Sequence, residues 1–452
     1  MKKWFVVLLA AGLIAAFSMP VLAVDVKFSG KFVVEGWYDS NRTLREDSAK
    51  APATGLFDQS LLVYTVFKVS DDVSLSTRFT ALEKIWGDKT STLAAGGGDT
   101  WGRVYSTDRA LRENIELDRA SVTFKALYGK IDAGFMQKSL YGTSFGDTDD
   151  TAAIIKYTYR AGPWSIGAAF EKSTEKEIAM TNGIATAGVA ASDADYNQWK
   201  LNVGYKWAGG DAGISETYYD DKTARTAATP YSVQYHRLNP YARATLGPVY
   251  VEGEIHYMTG DYRNYENPGS TNIKKDGWAW YLNAKYTMGP VYLGGQYSFV
   301  AGDDPSTADK NEAGWASGRE YKPCLILLNS DRDEFLGSLG SSTGGGMTMS
   351  NYSGKGSTNF NLYQVYAGFK PFQKLDLFAS YSIATLDKKP SGYTDDKIGN
   401  EFDITATYKI FDNLTYMAGW GYLWAGDAWK GTSTSNQISN DWLLMHKLTL
   451  NF

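Results

Sequence analysis

"WKLNVGYKW" (199–207) runs straight into "AGGD" (208–211), and this pairing of a strand pattern with a tight turn decides the fold. Trp199, Leu201, Val203, Tyr205 and Trp207 fall on one face; Lys200, Asn202, Gly204 and Lys206 fall on the other. That period of two marks a strand with one apolar and one wet side. The rhythm recurs along the chain. Leu61, Val63, Thr65, Phe67 and Val69 share a face, and Val73, Leu75, Thr77, Phe79 and Ala81 repeat it after "SDD". Trp278, Trp280, Leu282, Ala284 and Tyr286 do the same, as do Phe402, Ile404, Ala406, Tyr408 and Ile410. After residue 23 no segment approaches the roughly 18 consecutive apolar residues of a membrane helix, despite 31 Tyr, 14 Trp and 20 Phe.

The punctuation between these segments comes in two sizes. Tight turns read "SDD" (70–72), "YGK" (128–130), "AGP" (161–163), "AGGD" (208–211), "LGP" (246–248), "MGP" (288–290), "PFQK" (371–374) and "FDN" (411–413). Longer polar stretches alternate with them, at 41–56, 87–113, 140–150, 173–194, 221–232, 261–275, 301–357, 387–397 and 425–438. Eight short turns and nine long loops join 18 strands, with 16 as the alternative count. Short turns on one side and long loops on the other predict an all-β, antiparallel, up-and-down transmembrane β-barrel over 24–452. A soluble sandwich or propeller would need neither the loop asymmetry nor Trp and Tyr at the strand ends. The even count puts both termini on the short-turn, periplasmic side.

Residues 1–23 read as a secretory signal peptide: Lys2 and Lys3, an apolar run from Trp4 to Phe17, and Val21-Leu22-Ala23 before the cleavage point. Its loss takes the formal charge from −5 to −7, with 43 basic against 50 acidic residues. Nucleic acid is therefore not an expected partner. Cys324 is the one cysteine, so no intramolecular disulfide can form.

The C-terminal "HKLTLNF" (446–452) stays in a strand pattern to its last residue, with Leu448, Leu450 and Phe452 on one face. A closed barrel explains this, because its last strand must pair with its first, at about Val26 to Tyr38, to leave no edge in lipid. Here the sequence resembles the Gram-negative outer-membrane porins, whose chains end in a strand with a C-terminal Phe and apolar residues two and four positions before it. "LDRASVTFKALYGKIDAGF" (117–135) is porin-like in detail, and the length and strand count loosely resemble the substrate-selective and alginate-export-type barrels. No ligand motif of those families matches residue by residue. The resemblance implies that Leu448, Leu450 and Phe452 form the signal read by the barrel-assembly machinery. It also implies residence in the outer membrane of a Gram-negative bacterium, among lipid and lipopolysaccharide, with a homotrimer as one candidate assembly.

Alternation points Arg78, Arg119, Lys125, Lys156, Lys200, Arg243 and Lys285 into the lumen, with fewer acidic counterparts, chiefly Glu252 and Glu254. Eighteen strands enclose a water-filled interior. The reading is a passive diffusion channel for small hydrophilic solutes, with a mild anion preference from the basic excess. The alternative is a sheath for a partner such as an electron-conducting multihaem cytochrome, which would need an unobstructed lumen. An enzyme is not expected, since no Ser-His or Asp-His constellation stands out.

The longest loop, 301–357, carries the apolar run Cys324-Leu325-Ile326-Leu327-Leu328 and the Gly-rich "LGSSTGGGM" (339–347). An apolar run is costly to leave in water, so this segment is expected to fold back into the lumen. Arg319, Lys322, Asp331, Arg332, Asp333 and Glu334 would then line the constriction. An external loop packed on its neighbours is the competing placement. "GGGDTWG" (96–102) lacks the Gly-Lys-Ser/Thr ending of a phosphate loop. His236, His256 and His446 lack metal spacing, and no cofactor or metal is expected. The acidic clusters Asp147, Asp149, Asp150 and Asp303, Asp304, Asp309 read as solvated loops rather than as cation bridges to lipopolysaccharide.

Overall fold

The computed structural model describes residues 24–47, 50, 52–86, 115–138, 141–147, 149–176, 194–226, 229–267, 269–316, 319–336, 339–340 and 357–452, with backbone alone for Lys84, Glu334 and Phe335. The signal-peptide segment 1–23, the "GGGDTWG" stretch and most of the Gly-rich 339–347 lie outside the described residues.

The strands are β1 (Asp25–Asp39), β2 (Thr54–Lys68), β3 (Val73–Ile85), β4 (Glu116–Ala126), β5 (Gly129–Gln137), β6 (Thr151–Ala161), β7 (Trp164–Thr174), β8 (Tyr196–Trp207) and β9 (Gly210–Asp221). There follow β10 (Tyr231–Leu246), β11 (Val249–Tyr265), β12 (Ile273–Met288), β13 (Val291–Val300) and the two-residue β14 (Lys310–Asn311). The chain ends with β15 (Phe360–Phe372), β16 (Leu375–Thr385), β17 (Lys397–Phe411), β18 (Leu414–Ala425) and β19 (Asp441–Asn451). Among the described residues, all but β14 form one antiparallel ring of eighteen strands, closed where β19 pairs with β1. β14 adds in parallel to β12, above the ring.

The tight turns fall where the sequence places them. In "AGP", "LGP" and "MGP" the glycines Gly162, Gly247 and Gly289 have φ of 56°, 61° and 57°. A Cβ at any of the three would meet nothing within 4 Å, so the left-handed backbone alone selects glycine there. The expected loop 261–275 is shorter than the sequence reading gave, because β11 runs on to Tyr265 and β12 starts at Ile273. This strand extension is held by Lys274 Nζ donating to Asp261 Oδ1 at 2.6 Å.

Alternation sorts the two faces. Leu201, Leu282, Val365 and Ile404 are exposed on the outside, as a lipid-facing belt requires. The largest cluster of buried apolar residues lies inside the ring, where Leu327, Leu328 and Leu336 meet Leu362, Leu423 and Leu443 of the wall. At the seam Lys31 faces Asn451 and Asp39 faces Leu443. Gly30 N donates to Phe452 O at 2.7 Å, and Phe452 N donates to Gly30 O at 3.0 Å. The Phe452 ring covers Gly30 so closely that a Cβ there would come within 2.2 Å of it.

Replacing Phe452 with Asp removes the ring over Gly30 and puts a charge on the lipid side of the seam. The folded fraction should fall, as read by heat-modifiable mobility on gels; a normal yield would refute this account of the terminus.

Candidate functional site

Among the described residues, two segments leave the wall and run inward across its inner face. The first joins β5 to β6. Thr143 N and Oγ1 donate to Glu254 Oε2 on β11 at 2.6 and 2.8 Å, so the loop reaches a wall several strands away. Gly142 and Gly146 pack on the same carboxylate, where Cβ atoms would lie 2.5 and 2.2 Å from its oxygens. Phe145, fully buried, stacks on Tyr281 of β12 with centroids 5.6 Å apart and meets Tyr321 edge-on at 5.3 Å. His256 lies 2.7 Å from Glu254 Oε1 through Nε2 and 3.3 Å from Trp315 O through Nδ1, which ties this loop to the longest one.

The second inward segment is 319–336, within that longest loop. Tyr321 OH donates to Ser298 Oγ on β13 at 2.8 Å, and Gln364 Nε2 on β15 donates to Pro323 O at 2.6 Å. Cys324 Sγ sits 3.3 Å from Ser382 Oγ on β16, and Ile326 N and Leu327 N donate to Glu401 on β17 at 2.6 and 2.8 Å. Leu325 lies over Gly419 and Gly421 of β18, whose missing side chains leave room for it. Cys324, Ile326, Leu327 and Leu328 are all buried.

The segment then forms helix α1 (Ser330–Leu336), with Asn329 Oδ1 accepting from Arg332 N at 3.2 Å as a cap. Arg332 is fully buried and bonds Asp39 of β1 and Asp333, with Asp441 of β19 at 3.6 Å. Burial alone would push the Asp331 carboxyl up, but Lys322 and Lys447 outweigh it and hold it below the usual carboxylate range. Burial pushes the Tyr321 hydroxyl well above its ordinary value.

The basic rows expected from alternation have more acidic company than Glu252 and Glu254. Arg78 bonds Asp118 and Asp149, and Arg119 bonds Asp149 at 2.8 Å. Lys156 pairs with Asp132 at 3.6 Å, Lys200 with Glu171 at 2.5 Å, and Arg243 with Asp211 at 2.7 Å. Lys125 meets Asp72 in the first tight turn, so it belongs to the rim rather than the midsection. Lys285 lies over the rings of Tyr250 and Tyr292. Glu252 accepts from Tyr250, Tyr281 and Asn283. The basic excess read from the sequence is therefore corrected. Its acidic partners share the lumen parity, and the antiparallel strand register sets Asp132 opposite Lys156 and Asp211 opposite Arg243.

The loop residues divide as well. Arg319, Lys322 and Asp331 line a cavity of about 590 Å³. Arg332 and Asp333 do not, being buried against the wall, and the side chain of Glu334 lies outside the described residues. Five cations line that cavity, Lys31, Arg78, Arg319, Lys322 and Lys447. Nine carboxylates face them, Glu35, Asp58, Glu83, Glu116, Asp118, Asp149, Asp150, Glu320 and Asp331. Asp149 and Asp150 thus belong to the lumen rather than to a solvated surface loop, and sequence periodicity gave no sign of it. Of the histidines, His236 pairs with Glu216 at 2.7 Å, and His446 packs beside Phe57 and Tyr416 on the outer face.

A family model described as Gram-negative porin matches residues 7–322. Among solved structures, the chain is similar to OccK9 (OpdG) of Pseudomonas aeruginosa at 12% identity and a TM-score of 0.53, covering 95% of this chain and 99% of that one. OpdQ of the same organism matches at 12% and 0.53, covering 95% and 97%. OccK8 (OprE), also of that organism, matches at 13% and 0.53, covering 95% and 98%. At such identities these likenesses speak to the fold. Among curated proteins nothing matches the chain.

Arg332→Met leaves Asp39, Asp333 and Asp441 buried without their cation. Breaking a buried pair from one side costs about 3–5 kcal/mol, so urea denaturation followed by tryptophan fluorescence should show a clear loss of stability. An unchanged midpoint would mean that the three carboxylates do not depend on Arg332.

Proposed function

The chain belongs to the Gram-negative porin family, and from that premise we propose that it is a passive diffusion channel for small hydrophilic solutes, narrowed by segments 141–147 and 319–336. Family and fold point to a channel rather than an enzyme, and to the outer membrane as its place. The observation that carries the narrower reading is that both segments hydrogen-bond to the inner wall partway up the strands, at Glu254 and Glu401. A sheath for a multihaem cytochrome would need an open bore. The run of 319–336 from β13 around to β1 speaks against that alternative.

Ion preference follows from the wall rather than from the net charge of the chain. The anion preference expected from the sequence loses its support once the basic rows are paired. Nine carboxylates against five cations at the cavity, among the described residues, favour a mild cation preference instead. The outer belt would face lipid and lipopolysaccharide, with both termini periplasmic. Leu448, Leu450 and Phe452 would serve the barrel-assembly machinery, and a homotrimer remains the assembly to test by sizing in detergent.

Excising about 310–345 should raise single-channel conductance severalfold while the barrel still assembles, because pore radius sets the barrier to permeation. Unchanged conductance would remove the segment from the constriction. Gly146→Val, which drives a side chain into the Glu254 carboxylate, should raise conductance by a smaller factor. In a salt gradient the reversal potential should take the sign of cation preference, and an anion-selective reversal would refute the assignment from the cavity lining.

A further inference from the structure

Behind the inward segment, Cys324, Glu401 and Asp403 bring a sulfur and two carboxylate oxygens within 4.8 Å of one another. All three side chains are buried, at 3%, 0% and 2% exposure. Glu401 and Asp403 stand two apart on β17 and so point the same way. Among the described residues, no cationic side chain forms an ion pair with either. Glu401 is well supplied with donors, since the N–H groups of Ile326 and Leu327 each take one of its oxygens at 2.6 and 2.8 Å. Asp403 is not. Its Oδ2 accepts from Leu325 N and from Ser380 Oγ, both at a long 3.4 Å, and its Oδ1, though buried, has no donor.

That orphan oxygen faces a definite place. A Cβ built on Gly421 would lie 2.7 Å from Asp403 Oδ1, 3.2 Å from Leu325 Cβ and 3.5 Å from Glu401 Oε1, so both oxygens converge beside Leu325 over the backbone of β18. Two like charges held together in a medium of low dielectric, one with an unsatisfied oxygen, are relieved either by a shared proton or by a bound cation. A thiol adds a soft donor to the pair.

We propose that this cluster is a metal site for a thiophilic divalent cation of the zinc class, bound by the Cys324 sulfur and by oxygens of Glu401 and Asp403. The donor set decides the class. Calcium and magnesium call for six or more oxygens, and copper(I) calls for more sulfur, whereas mixed sulfur and carboxylate donors in a small set suit zinc and its cobalt substitute. Binding releases the thiol proton, and any proton shared by the carboxylates, to solvent. The thiolate and two carboxylates then carry three negative charges against two positive. The N–H groups of Leu325, Ile326 and Leu327, aimed at those carboxylates, offset the remainder. The ion would fasten the inward segment to β17 by coordination as well as by hydrogen bonds. Spacing could not reveal such a site, because Cys324 lies in a loop and its partners on a strand more than seventy residues later.

The test uses the purified full-length barrel in detergent, stripped with EDTA and dialysed against cobalt(II). The expected result is about one cobalt per chain with a near-ultraviolet sulfur-to-cobalt charge-transfer band. Cys324→Ser should abolish that band while gel mobility shows the barrel still folded, and Glu401→Gln and Asp403→Asn should each lower cobalt uptake at least tenfold in apparent affinity. A second arm needs no variant: zinc should slow alkylation of Cys324 by a maleimide at least tenfold relative to the stripped protein. Cobalt bound without the band, a band that survives Cys324→Ser, or zinc-independent alkylation would each overturn the proposal, leaving a carboxylate pair joined by a shared proton. None of these readouts involves conductance, so failure here leaves the channel reading standing.

Discussion

The ring of backbone hydrogen bonds is the constraint from which the rest of the molecule follows. Lipid offers no donors or acceptors, so each strand must be paired on both sides and the sheet must close on itself. β19 meets β1 along nine residue pairs, and the bonds between Gly30 and Phe452 carry the pairing to the final residue. Once the wall is closed, alternation of side chains sends apolar residues to lipid and polar ones inward. Eighteen strands enclose more space than inward side chains can fill. Whatever narrows the interior has to come from the loops, and among the described residues two loop segments reach across to the inner wall.

The loops also settle the electrostatics of the wall. Arg78 and Arg119 sit directly opposite each other on β3 and β4, an arrangement that repels. Asp149, delivered by the loop between β5 and β6, bonds both and removes the conflict. Lys156, Lys200 and Arg243 find carboxylates on neighbouring strands, so much of the interior is paired charge rather than a basic surface. Among the described residues, carboxylates outnumber cations around the cavity beside segment 319–336, and there the balance is acidic.

How much of this could be read from the chain depends on how far apart the interacting residues lie. Strand count and turn positions were legible because a tight turn is local chemistry, as Gly162, Gly247 and Gly289 show. The pairing of Lys156 with Asp132 was not, since the long loop between β5 and β6 leaves their register open. Arg78 with Asp149, Thr143 with Glu254 and Arg332 with Asp39 span 71, 111 and 293 residues, and no periodicity links them. From sequence Arg332 is expected at the constriction with Arg319, Lys322 and Asp331. The meeting of Asp39, Asp333 and Asp441, from β1, α1 and β19, helps to make its burial tolerable.

The two inward segments are held by different means. Segment 319–336 is fixed at β13, β15, β16, β17 and β1 by separate polar contacts, with Leu325 seated on the glycines of β18. Displacing it would expose buried Ile326, Leu327 and Leu328 to water and strand Arg332 among carboxylates at once. Segment 141–147 is held at Glu254, by the stacking of Phe145 on Tyr281, and by Tyr141, which donates to Val203 O and meets Tyr241 edge-on. Opening free energies within one protein range from almost nothing up to the global value, and they track how many buried contacts must break together. On that measure the longer segment is part of the wall, and the shorter one is where the width of the lumen is most cheaply changed.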